Sequence, residues 1–155
     1  MLSRKHRMWG TTKSEMTNDG MTNDQDSMTN ESQEGGRAKP QFDLAERTAR
    51  FGESVIVFCL DIERNAVTKP IISQLVRSAT SISANYGEAD EAGSKKEFRY
   101  RISLCKREAR ETKHWLRMLV AAVSGVREPA REFWKEANEL TKIFAAIHRS
   151  SGKSS

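Results

Sequence analysis

Glu111 and His114 stand three residues apart, the spacing at which a carboxylate and an imidazole on one helix can share a metal ion inside a bundle. Such a site needs matching inward-pointing Glu and His on other helices, and the sequence shows none. His6 and His148 are distant in sequence, and neither has a ligand partner at metal-site spacing. Cys59 and Cys105 both fall within apolar helical stripes, where a thiol behaves as a small hydrophobe. Glu108 and Glu111 sit among basic residues, a setting that suits a salt-bridged face better than acid–base work. There is no phosphate-cradling glycine loop and no nucleophile elbow. The expectation is a protein that is not an enzyme and uses neither metal nor cofactor.

Cations supply the remaining chemistry. Lys95, Lys96 and Arg99 lie near the start of the third expected helix, and Lys106, Arg110, Lys113 and Arg117 continue at helical spacing. The last four share much of one face, placed opposite the apolar line by a turn of about 3.6 residues. Such a stripe suits the phosphates of RNA or DNA. A net charge of +5 and a pI near 9.4 lean the same way. The competing reading is an ordinary solvated face, with Glu108 and Glu111 pairing locally.

A polar line on the second expected helix also needs a reason. Gln74, Arg77, Ser78, Ser81, Asn85 and Glu88 could border a groove or pore. The favoured reading is a register-fixing hydrogen-bonded network, in which Glu108 and Glu111 are the partners of Arg77. Trp115, Trp134 and Tyr100 lie off the main apolar seams. They either anchor a protein partner or cover the edges of the core.

Four amphipathic helices must carry these groups. Asp43 and Glu46 have capping-box spacing, with Phe42 as a hydrophobic staple. Ala45, Thr48, Gly52, Val55, Cys59, Ile62 and Ala66 then recur at steps of three and four, and residues 65–69 break the helix. Pro70 opens the second, which buries Ile72, Leu75, Ala79, Ile82, Tyr86 and Ala89. Ser94 and Glu97 form another capping box, opening the longest helix, and Ser124 with Gly125 ends it. Pro129 starts the fourth, along Phe133, Ala137, Leu140, Phe144 and Ile147. The pattern predicts an all-α, up-and-down antiparallel four-helix bundle over residues 41–150.

Residues 1–40 differ in kind. MTND occurs twice and MTN followed by Glu31 once, among Gly, Ser, Gln and Asp. So few apolar groups cannot offset the entropy of ordering, and a disordered low-complexity tail is expected there, with a frayed end over 151–155. No apolar run approaches the ~20 residues that span a bilayer, and the basic start lacks a signal peptide's apolar stretch. The cytoplasm is the expected location, and no membrane partner is expected.

Residues 77–116 resemble the family of four-helix-bundle proteins encoded in intervening sequences of bacterial 23S ribosomal RNA. The likeness rests on Gln74-Leu75, Arg77-Ser78-Ala79, Ile82, Ala84-Asn85 and Glu88-Ala89. It extends through Ser94, Phe98, Glu108-Ala109, Glu111-Thr112 and Trp115-Leu116, with Arg50-Phe51 in the first helix. The resemblance implies a homo-oligomeric ring, with pentamers known among relatives. Distant relatives assist the reverse transcriptase of diversity-generating retroelements and bind nucleic acid. Two functions follow as expectations: an oligomer that binds RNA or DNA, or an adaptor that holds a protein partner without touching nucleic acid.

Overall fold

A computed structural model describes residues 43–153 of the chain. Four helices follow one another: α1 (Leu44–Leu60), α2 (Thr68–Asp90), α3 (Lys95–Ala122) and α4 (Arg127–Ser150), with no strand among the described residues. Short connections turn each helix back along its predecessor, giving the antiparallel bundle. Packing is extensive between consecutive helices, whereas α1 and α4 touch along a much slimmer seam. The expected tail over residues 1–40 and the Phe42 staple lie outside the described residues.

The caps explain where the helices begin. Asp43 accepts the Glu46 amide at 3.0 Å, and Ser94 accepts the Glu97 amide at 3.1 Å. The reciprocal half of the first box gives way to an ion pair, since the Glu46 carboxylate takes Arg50 Nε at 2.6 Å. The first helix is shorter than its periodicity suggests. It ends at Leu60 with Asp61 as its C-cap, and Ala66 is exposed in the loop rather than on a helical face. Ile62 still reaches the core from that loop, which is why it fits the helical pattern.

Asn65 and Thr68 form the true start signal of α2. Asn65 Oδ1 accepts the Val67 and Thr68 amides at 2.8 and 2.9 Å. Thr68 Oγ1 accepts the Asn65 amide at 2.9 Å and donates to the Glu63 carbonyl at 2.7 Å. Orphan donors are thereby satisfied two residues ahead of Pro70. At the far end of α3, Gly125 adopts φ 85°, a left-handed conformation that a Cβ would strain.

The core is one apolar column. Val55, Leu75, Ala79, Ile82, Ile102, Leu119, Leu140 and Phe144 are fully buried, and burying all of these but the small Ala79 supplies roughly 1.5–3 kcal/mol each. Gly52 brings α1 close to α2, because a Cβ there would meet Thr80 Cα at 3.4 Å. Cys59 and Cys105 are buried as unpaired thiols. Burial pushes the Cys59 thiol up to about 11 and that of Cys105 to about 12, which removes the thiolate that chemistry would need.

Candidate nucleic-acid interface

The basic residues of α3 gather on one flank. At ~100° per residue, Lys95, Arg99, Lys106, Arg110, Lys113 and Arg117 fall within a sector of roughly 60°. Lys96 lies outside that sector. The stripe stands about a quarter turn from the buried line of Ile102, Cys105, Ala109 and Leu116, which corrects the expected opposite placement: projecting both sets at ~100° per residue gives the quarter turn. This placement turns it toward α4. Arg99 Nη1 donates to the His148 carbonyl at 3.3 Å, and Lys113 Nζ donates to Asn138 Oδ1 at 2.9 Å.

Local pairing does not neutralise the stripe between Lys106 and Arg117. Glu108 accepts Arg107 Nη2 at 3.2 Å, and Glu111 accepts the Trp115 indole at 3.2 Å. Both carboxylates are thus engaged with residues outside the sector. Among the described residues, Lys106, Arg110, Lys113 and Arg117 make no ion pair with a carboxylate. His148 lies beside this surface. Burial and the neighbouring Arg99 and Lys106 charges hold its imidazole below the usual histidine range, as expected in a positive field.

Sequence reasoning missed the contribution of α4. A groove of about 410 Å³ between α3 and α4 is lined by Leu116, Arg117, Val120, Arg127, Glu128, Ala130, Arg131 and Trp134. It gathers three guanidiniums against one carboxylate over an apolar floor. Trp134 remains 41% exposed, and Lys113 Nζ sits 5.1 Å from its ring centroid, within cation–π range. Arg127, Arg131 and Trp134 are spaced four and three apart, so their common face was readable. Which neighbouring helix that face met was not.

The polar line of α2 does not assemble into the expected network. Arg77 is exposed and bonds neither Glu108 nor Glu111. Its position on the outer side of α2 lets water solvate the guanidinium, so no buried partner is required. Ser78 is the buried member, and its hydroxyl lies 3.1 Å from that of Thr112 on α3. Asn85 Nδ2 donates to the Ser81 carbonyl of its own helix at 2.8 Å, and Glu88 pairs with Arg101. Gln74 is half-buried. The polar contacts between α2 and α3 are therefore this hydroxyl pair, the Cys105 thiol donating to the Ile82 carbonyl at 3.6 Å and one ion pair, without the Arg77 centre. Nor do Glu111 and His114 meet other ligands; among the described residues no group of three metal-ligating side chains converges.

A four-helix bundle with a basic flank defines the class. The chain belongs to the 23S rRNA-intervening sequence protein family, whose model matches residues 41–146. Its fold is similar to a crystal structure of a protein of unknown function from the S23 ribosomal protein family of Bacteroides thetaiotaomicron. That likeness has a TM-score of 0.60 at 24% identity and covers 67% of this chain and 96% of the other. No curated protein matches. No helix among the described residues is long and apolar enough to cross a membrane.

Proposed function

We propose that this protein is a cytoplasmic, non-enzymatic homo-oligomer that binds RNA or DNA through the α3/α4 flank. The observation that carries this reading is the unneutralised line of Lys106, Arg110, Lys113 and Arg117, extended by Arg127 and Arg131. Closely spaced cations release condensed counterions when they meet phosphates, so they gain free energy from nucleic acid in particular. The raised thiol pKa values of Cys59 and Cys105 argue against a cysteine nucleophile. Titrating a labelled oligonucleotide across a salt series tests the reading. Affinity should fall steeply with salt, and a flat response would sink it.

Assembly has its own support. Val57, Leu60 and Val67 are each about three-fifths exposed, and Ile56 joins them. A second copy is the occupant we assign to this apolar face at the end of α1. The helices α1 and α3 are not packed on each other, so contacts through α1 leave the basic flank uncovered. Light scattering on Leu60→Asp should show a smaller particle than the parent. An unchanged mass would exclude this face. A protein adaptor remains the second reading, and mass unchanged together with no oligonucleotide binding would favour it.

A further inference from the structure

The groove between α3 and α4 has features that phosphate binding alone does not require. Its floor is apolar, formed by Leu116, Val120 and Ala130, and its wall is the indole of Trp134. A double helix offers a rod of phosphates with its base faces stacked away inside, so it gains little from an apolar hollow. A single strand offers planar faces with one phosphate between each pair of bases, and proteins that hold it combine cations with aromatic platforms. Trp134 also has a tethered cation beside it. Asn138 Oδ1 takes Lys113 Nζ at 2.9 Å, and that ammonium lies 5.1 Å from the ring centroid. Lys113 thus meets the indole from the α3 side while 41% of the residue stays exposed.

Charge around the hollow is arranged to match. Arg117 comes from α3, while Arg127 and Arg131 come from the first turns of α4, with Glu128 the opposing carboxylate. The positive end of the α4 dipole adds to the field there.

We propose that the α3/α4 groove takes an unpaired nucleobase stacked on Trp134, with the adjoining phosphates on Arg117, Arg127 and Arg131, so that the protein prefers single-stranded nucleic acid. This rests on the nucleic-acid reading above and specifies its ligand. The preference is independent of base identity, because every base has a face to stack.

Fluorescence anisotropy can test it with labelled strands of about ten nucleotides, the span of such sites. Four probes are compared: oligo-U, oligo-dT, a duplex of equal phosphate count, and an abasic strand with the same backbone. Oligo-U and oligo-dT should both bind about tenfold or more tighter than the abasic strand, the size of one lost stacking contact. Trp134→Ala should remove most of that advantage and leave duplex binding unchanged, whereas Trp134→Phe should keep it. Equal affinity for the abasic and base-bearing strands overturns the proposal while leaving phosphate binding intact. Failure of all four probes to bind overturns the wider reading as well. The abasic comparison uses the parent protein, so no variant has to fold for the result to count.

Discussion

Two grooves flank α4, and they differ in charge far more than in shape. On the α1 side, about 610 Å³ is bordered by Asp43, Glu46, Glu132 and Glu136 against Arg47 and Arg50, above Phe51 and Phe133. On the α3 side, about 410 Å³ is bordered by Arg117, Arg127 and Arg131 against Glu128. The cations of the first groove are committed. Arg47 grips Glu136 through two bonds of 2.6 and 2.9 Å, and Arg50 holds Glu46 at 2.6 Å. Those of the second form no ion pair among the described residues. Counting basic residues does not separate the two; counting carboxylates within reach does. An ion-paired guanidinium has already exchanged water for a partner, so a phosphate gains less by approaching it.

The sharpest test of this contrast is a paired set of charge removals. Replacing Lys106, Arg110, Lys113 and Arg117 with Gln should abolish oligonucleotide binding at physiological salt. Single members of the set should each lower the log–log salt slope by about 0.9 on duplex or 0.7 on single strands. Arg47→Gln with Arg50→Gln should leave affinity and slope unchanged. A loss of binding from that second pair would erase the distinction between the grooves.

Stability should show the reverse asymmetry. Phe133 packs on Phe58 at 5.1 Å and Phe51 at 6.3 Å, so Phe133→Ala should cost about 2–4 kcal/mol in chemical denaturation. Trp134→Ala should cost less than about 1 kcal/mol, because its ring is partly solvated already. An effect smaller than that of Phe133→Ala follows from Arg47→Ala, which breaks the bidentate pair. That pair is about one-third exposed on each side, so solvent screening limits the loss to about 1 kcal/mol, and Arg117→Ala should cost nothing measurable.

The smallest effect is a proton. His148 is depressed below its ordinary value by burial and by Arg99 and Lys106. Between that depressed value and the unfolded one near 6.5, the unfolded chain binds the proton more strongly. Its contribution to stability is therefore present above the unfolded value and lost as pH falls through the window. A bound phosphate should cancel the neighbouring charges and raise the His148 pKa. Titration of its imidazole resonance by NMR, with and without oligonucleotide, reads that shift directly; an unmoved resonance would place the ligand elsewhere.

Much of the architecture was legible because helix starts and apolar periodicity agree. Asp43 and Ser94 cap as expected, whereas α3 stops at Ala122, where Val123 turns extended, ahead of the expected Ser124 and Gly125. The end of α1 was not legible. Ile62 is buried, and burial alone does not distinguish a helical residue from a loop residue folded back onto the core. The stripe on α3 was visible as spacing, and its quarter-turn angle to the buried line follows from the helical period, but the helix lying against it was not visible. Which helix lies there depends on how α3 and α4 pack, which is a property of the pair. For the same reason Arg127, Arg131 and Trp134 could not be joined to it. Arg77 failed the other way: a charged residue beside small polar ones reads as a buried centre, yet it sits where water can reach it.

The slender α1/α4 seam has a consequence for motion. α1 is packed fully against α2 alone and α4 against α3 alone, but the α1–α2 contact is the lighter, so α1 can lift away at least cost, while α3 is gripped from both sides. Each of these helices hides one thiol, Cys59 in α1 and Cys105 in α3. A thiol-specific reagent should therefore label them in sequence, Cys59 during partial opening and Cys105 after the whole bundle comes apart. The two cysteines act as a pair of internal clocks, and the ratio of their labelling rates measures how independently the first helix breathes.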